Sequence, residues 1–184
     1  MKIGVISDTH DRLPTFTRAI ELFKRLPVDA IFHAGDYVAP FAAKLIAPDV
    51  LNIPLYCVYG NNDGERPGLK TILPNLEDHL TITLDNRTIV MSHFIDWIKP
   101  DQLRPNGKPA DIVITGHTHE IVNETRLLQS PADTFDTAQI VPTGTPNATL
   151  FLNPGECCGW LTNRCSVALL DTNTCSAEII DVHP

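Results

Sequence analysis

Short apolar runs rich in β-branched residues recur along the first two thirds of the chain, at Lys2–Ser7, Ala30–His33, Pro54–Tyr59, Leu80–Leu84, Thr88–Met91 and Asp111–Thr115, and each predicts a strand. The segments between the first three carry helical spacing instead. Over Leu13–Leu26 the residues Phe16, Ala19, Ile20, Phe23 and Leu26 fall on one stripe, and Pro14 suits a first helical turn. Phe41–Ile46 and Leu69–Leu73 predict shorter helices. Strand and helix in alternation imply parallel βαβ units. From His79 to Met91 the pattern changes to a hairpin turning at Asp85-Asn86.

The C-terminal third reads as strands without intervening helices: Glu120–Leu127, Ala138–Val141, Ala148–Leu152, Ser166–Leu170 and Ala177–Val182. Gln129–Asn147, rich in Pro, Thr, Asp and Ala, reads as an inserted loop or hairpin. It either covers a site or pairs with a second copy in a homodimer, and its Phe135 and Ile140 do not choose between the two. The order of elements fits an α/β fold, a sandwich of two mixed sheets flanked by helices, in a single domain over residues 1–184.

Composition narrows the function classes. Of 184 residues 43% are apolar and 20% charged, and the net charge of −8 comes with scattered Lys and Arg. General nucleic-acid binding would want a basic stripe, so it is not expected. No apolar window is long enough to span a membrane, and MKIGVISDTH lacks the regions of a signal peptide, so a cytoplasmic protein is expected. The five cysteines show no CxxC spacing and include the adjacent pair Cys157-Cys158. Buried or half-buried thiols are expected rather than a disulfide framework.

The candidate chemistry lies where strands end. Ligands of open α/β sheets bind outside the carboxyl ends of the strands. Here five apolar runs end in metal-ligating residues: Asp8 and His10 after GVIS, Asp36 after IFHAG, Asn61 with Asn62 and Asp63 after CVYG, His93 after IVMS, and His117 and His119 after IVITG. Four of the seven histidines of the chain occupy these ends. In an extended segment, residues two apart point the same way, so Asp8/His10 and His117/His119 are expected to act as pairs. Imidazole, carboxylate and an amide oxygen without thiolate suit Mn²⁺, Fe²⁺, Zn²⁺, Ni²⁺ or Co²⁺ better than an all-oxygen Ca²⁺ cage. Seven ligands exceed one ordinary site and match two divalent ions sharing a carboxylate.

The order D-x-H, G-D, G-N, H, G-H-x-H resembles the calcineurin-like metallophosphoesterases, and SDTHD, HAGD, YGNNDGER, GHTHE and NPGECCGWLT resemble their small bacterial and archaeal phosphodiesterase branch. The resemblance covers the chain except Gln129–Asn147. It implies a four-layer α/β/β/α sandwich with a dinuclear centre, Mn²⁺ being the first expectation. Asp8, His10, Asp36 and His119 would hold one ion, Asp36, Asn61, His93 and His117 the other. Between two cations about 3.5–4 Å apart, water loses a proton near neutral pH and attacks phosphorus in line. The implied activity is hydrolysis of a small or activated phosphodiester, with no protein nucleophile. Asn62 stands where many members have a histidine able to protonate the leaving oxygen, which a carboxamide cannot do, and this favours diesters over monoesters. Ser92-His93-Phe94-Ile95 likewise lacks a second histidine. A phosphomonoesterase, or a non-catalytic scaffold like the vacuolar sorting subunit of retromer, are the competing readings, the intact ligand set standing against the scaffold.

Further residues are assigned more loosely. Asn62 and Asp63 are read as substrate-facing or as supports for the ligands, Asp63 chiefly as a cap of the following helix. His33 is either a support for the site or an ordinary strand-end histidine. Asp11 and Arg12 either face substrate or sit in a solvated loop. Asn153-Pro154-Gly155 resembles a site-lining loop, Cys157, Cys158 and Arg164 are read mainly as lying away from substrate, and His79 and His183 as surface residues.

Overall fold

The computed structural model describes residues 1–183. Its first sheet contains β1 (Lys2–Ile6), β2 (Ala30–His33), β3 (Leu55–Cys57), β10 (Ser166–Asp171) and β11 (Ser176–Asp181), in the order β11-β10-β1-β2-β3. The second contains β4 (Leu80–Leu84), β5 (Arg87–Met91), β6 (Ile112–Ile114), β7 (Ile121–Leu127), β8 (Gln139–Ile140) and β9 (Thr149–Pro154), in the order β4-β5-β6-β9-β7-β8. Both sheets are mixed. β1, β2 and β3 run parallel, as do β5, β6 and β9, with antiparallel strands at the edges.

The side-chain period of two sorts these strands into layers. Ile3 and Val5 of β1, Phe32 of β2, Ile89 and Met91 of β5, Ile112 and Ile114 of β6 and Leu150 and Leu152 of β9 form the core between the sheets. The opposite faces point outward to two further cores. Ile6 and Ile31 meet Phe16, Ala19, Ile20 and Phe23 of α1 (Leu13–Arg25). Val90, Val113 and Phe151 are covered by Ile98, Leu103 and Ala110, by Leu128 just before the 129–147 segment and by Ala138 at its middle. Short 3-10 turns at Ile95–Trp97 and Pro105–Gly107 lie in that last layer, whereas the first sheet is covered by α-helices.

Local chemistry accounts for the boundaries. α1 carries Pro14 in its first turn and Lys24 and Arg25 in its last, both favourable at those ends. The helical pattern at Phe41–Ile46 forms α2 (Pro40–Ala43) running into a 3-10 turn at Lys44–Ile46, and that at Leu69–Leu73 forms α4 (Arg66–Ile72). α3 (Pro48–Leu51) was not predicted, because four residues are too few to show a period. Asp85 and Asn86 turn the β4–β5 hairpin at φ 50° and 59°, the left-handed pair that a two-residue turn requires. The predicted strand Pro54–Tyr59 pairs fully only over Leu55–Cys57, Val58 adding one isolated bridge to Glu77.

The segment 129–147 packs on the second sheet and not over the predicted ligands. It leaves β7 where Arg126 pairs with Thr149, at the entry of β9 and opposite the strand ends that bear the ligands, and its Thr134, Phe135 and Asp136 line a pocket with Ile95, Asp96 and Ile98. Phe135 packs edge-on against Phe151 at 5.2 Å, and Arg126 lies over the Phe135 ring at 3.9 Å. The segment therefore covers the outer face of the second sheet.

Candidate metal centre

All seven predicted ligands converge in the loops after β1, β2, β3, β5 and β6. Asp8, Asp36 and His93 are buried there. The side chains do not come from the extended pairs that the two-residue spacing predicts. Asp8, His10, Asp36, His117 and His119 have φ of 52°, 40°, 61°, 69° and 62°, a left-handed backbone that non-glycine residues seldom adopt. Strain of this kind persists where the surroundings over-determine it. Each chain reversal instead turns the side chain inward from a tight loop tied by backbone bonds, as from Asp8 N to the Gly35 carbonyl and from Thr9 N to the Asp36 carbonyl, both 3.1 Å. Two glycines allow these loops to meet. A Cβ on Gly60 would collide with the Asp36 carboxylate, and one on Gly116 with the Ser7 hydroxyl.

The ligand atoms form two groups that share Asp36 Oδ2. In one, His10 Nε2 lies 3.3 Å from His119 Nε2 and 3.4 Å from Asp36 Oδ2, and His119 Nε2 lies 3.4 Å from Asp8 Oδ1. In the other, His93 Nε2 lies 3.4 Å from Asp36 Oδ2 and 3.0 Å from Asn61 Oδ1, which is 2.7 Å from His117 Nδ1. With metal–ligand bonds of about 2.1 Å, neighbouring ligands stand about 3.0 Å apart in an octahedron and about 3.4 Å apart in a tetrahedron. The spacings fit such polyhedra.

The proton inventory fits a cation too. His93 Nδ1 donates to the Ala34 carbonyl at 2.7 Å and His119 Nδ1 to Glu156 Oε2 at 2.8 Å. In the neutral rings this turns both Nε2 lone pairs toward carboxylate and amide oxygens, where no proton is available. Asp8 Oδ2 accepts from Ser7 Oγ at 2.5 Å and His117 N at 3.1 Å, but the buried Asp8 Oδ1 has no hydrogen-bond partner among the described residues. Buried acceptors without donors are costly, and a divalent cation is the group that satisfies several at once. Burial works against charge on His93, yet the Asp36 and Asp8 carboxylates overcome it and raise its pKa. Burial likewise works to raise the Asp36 pKa, while His93 and Asn62 pull it well below the usual carboxylate range. The pocket is built for positive charge.

Behind the ligands stand residues that hold them. Asn62 donates from its backbone N to Asp36 Oδ1 and from Nδ2 to Asp36 Oδ2, both at 2.8 Å. Asp63 does not cap α4, whose N-terminus has no side-chain cap. Its carboxylate accepts from the backbone N of Gly60, Val38 and Asp36 at 2.7, 2.8 and 3.1 Å, clamping two ligand loops together. His33 is a support: burial lowers its pKa to about 3, Nδ1 accepts from Gly35 N, and Nε2 meets Thr9 Oγ1 at 3.3 Å. Asn153 Nδ2 donates to the carbonyl of Gly116 and to Thr118 Oγ1, beneath the His117–His119 loop. Asp11 accepts from Ala39 N, and Arg12 bonds the Cys158 carbonyl. Both belong to structured loops rather than solvated ones.

Glu156 was missed. It is fully buried and takes donors from His119 Nδ1, Cys158 Sγ, the backbone N of Trp160, Leu161 and Thr162, and Thr162 Oγ1. Burial works to raise its pKa, but these donors hold it at about 2. A carboxylate behind a ligating histidine fixes its tautomer and raises its basicity. The available signal was a lone carboxylate at a strand end, in NPGECCGWLT. Cys158 Sγ lies near His10 and His119 and donates to Glu156 Oε2 at 3.0 Å, and burial and Glu156 raise the thiol pKa. Cys157 is buried with its pKa raised to about 12, and Arg164 pairs with Asp181 at the surface. His183 is exposed, and His79 is half-buried rather than a plain surface residue.

A cavity of about 890 Å³, lined by Lys108, Asp111, Thr143 and Asn147 among others, opens beside the entries of β5, β6 and β9 and contains none of these ligands. The site at the carboxyl ends is the one with convergent chemistry.

The calcineurin-like phosphoesterase superfamily domain matches residues 1–175. A phosphodiesterase of Methanocaldococcus jannaschii is 35% identical over 178 residues, covering 94% of this chain and 93% of the relative. Among solved structures, an archaeal phosphodiesterase superimposes with a TM-score of 0.76 at 33% identity, covering 98% of this chain and 99% of that one. A phosphoesterase from E. coli superimposes with a TM-score of 0.62 at 22% identity over the full length of both chains, and that likeness concerns the fold alone.

Proposed function

The chain belongs to the calcineurin-like phosphoesterase superfamily, and from that premise we propose that it is a metal-dependent phosphodiesterase acting on a small or activated phosphodiester. One observation carries the reading most. Seven candidate ligand atoms from five strand ends fall into two groups that share Asp36 Oδ2, and among the described residues the buried Asp8 Oδ1 has no hydrogen-bond partner. Asp8, His10, Asp36 and His119 would hold one divalent ion and Asp36, Asn61, His93 and His117 the other, Mn²⁺ being the first choice and Ni²⁺, Zn²⁺, Fe²⁺ or Co²⁺ compatible with the same donors. Bound there, two such ions supply activation of water as the nucleophile and offset negative charge on the phosphoryl oxygens. The residues do the rest. Glu156 and the Ala34 carbonyl fix the tautomers of His119 and His93. Asn62 and Asp63 hold the Asp36 loop in register.

The proposal favours diesters because Asn62 offers no proton to a leaving oxygen, and its amide is engaged on Asp36. We assign residues 1–184 to one domain, with 129–147 as an elaboration of the second sheet. Among the described residues no helix is long and apolar enough to cross a membrane.

The test uses purified protein stripped of metal and resupplied with Mn²⁺, Ni²⁺, Zn²⁺, Co²⁺ or Mg²⁺. Hydrolysis of bis(4-nitrophenyl) phosphate should depend on added metal and exceed that of 4-nitrophenyl phosphate. Turnover independent of metal, or none with any metal and either ester, would overturn the proposal.

A further inference from the structure

The chain has two tryptophans, and both stand exposed beside the metal centre on different halves of it. Trp97, 47% exposed, lies with its ring 6.1 Å from that of His93, and the neighbouring Phe94 ring lies 4.1 Å from His117. Trp160, 59% exposed, has its indole Nε1 3.5 Å from the His10 carbonyl, with Leu161 exposed beside it. Each half of the centre thus has its own aromatic neighbour. Large rings usually find partners in a core or an interface, so two left open beside a polar centre are informative.

Neither ring hangs on a slack loop. Glu156, which holds His119, also accepts the backbone N of Trp160 and Leu161. Trp97 closes the 3-10 turn Ile95–Trp97, its N donating to the Phe94 carbonyl at 3.1 Å. Arg12 stacks over Trp160 at 4.7 Å and bonds the Cys158 carbonyl, so this cation braces the ring. What the two halves present is exposed aromatic surface, with the Arg12 guanidinium against one ring. That suits planar aromatic groups.

We propose that Trp97 and Trp160 are the specificity elements for the two ester arms, so that the substrate is a phosphodiester bearing a planar aromatic group, aryl or nucleobase, on each arm. The proposal rests on the phosphodiesterase reading, which it deepens by naming the substrate class. One tryptophan receives the leaving arm and the other the retained arm, each by stacking.

Because the chain has no other tryptophan, its intrinsic fluorescence reports on this site. In metal-loaded protein, diphenyl phosphate should quench the emission saturably and dimethyl phosphate should not. Trp97→Phe and Trp160→Phe should each remove part of the quenched signal. In kinetics, bis(4-nitrophenyl) phosphate should exceed methyl 4-nitrophenyl phosphate in kcat/KM by about tenfold, roughly one stacking contact. Of Trp97→Ala and Trp160→Ala, one should abolish that preference and the other should weaken both substrates alike, through KM more than kcat. Hydrolysis with no quenching, and with neither alanine variant changing kcat/KM beyond about twofold, would overturn the proposal. Saturable quenching without hydrolysis would support the aromatic sites and overturn the catalytic reading.

Discussion

Replacing Asp36 by Asn should reduce metal-dependent diester hydrolysis about a thousandfold or more. Asp36 Oδ2 is the atom that belongs to both ligand groups, 3.4 Å from His10 Nε2 and 3.4 Å from His93 Nε2. Cations in such pairs lower the barrier by several kcal/mol, and each 1.4 kcal/mol or so is tenfold in rate. Losing the shared anionic oxygen weakens both ions at once. Asparagine is preferable to alanine as the replacement because Asp36 sits at φ 61°, a conformation asparagine tolerates. The variant should retain the far-ultraviolet circular dichroism of the wild type. Activity within tenfold of wild type under saturating Mn²⁺ would remove Asp36 from the shared position.

Replacing Asp8 by Asn should have opposite effects on stability and function. Asp8 Oδ2 already has two donors, and its buried Oδ1 has none, facing the His119 lone pair at 3.4 Å. An amide NH₂ in the Oδ1 position would donate to His119 Nε2 and remove one negative charge from the pocket. An unsatisfied buried acceptor costs about 1–3 kcal/mol, so the metal-free variant should melt about 3–8 °C above the metal-free wild type. Mn²⁺ should then raise the melting temperature of the wild type strongly and of the variant weakly, while diester turnover of the variant falls about a hundredfold or more. A less stable metal-free variant, or equal stabilisation of both by Mn²⁺, would count against a metal as the missing partner of Asp8. The trade is the usual one for groups held unsatisfied at functional sites.

Much of this site was legible because strands announce themselves by apolar runs, and a polar residue directly after such a run lands at the carboxyl edge. Asp8, Asp36, His93 and His117 follow that logic. The backbone was not legible: nothing in D-T-H or H-T-H shows that Asp8, His10, His117 and His119 turn left-handed, so an extended pairing was the natural but mistaken expectation. Asp63 was misplaced for a related reason. Aspartate ahead of a helical pattern is an ordinary cap, whereas its actual partners, the amides of Gly60, Val38 and Asp36, come partly from a loop 27 residues away. Glu156 went unrecognised because its donors arrive from a loop without period and from His119, 37 residues earlier. The 129–147 segment has too few apolar residues to reveal that Phe135 and Ala138 complete a core.

Metal stoichiometry separates a two-ion centre bridged by Asp36 from a single-ion site. Calorimetric titration of the metal-free chain with Mn²⁺, checked by elemental analysis after gel filtration, should find two equivalents bound per chain in the wild type and at most one in Asp36→Asn. A single equivalent or none in the wild type, or two retained in Asp36→Asn, would contradict the bridged two-ion centre.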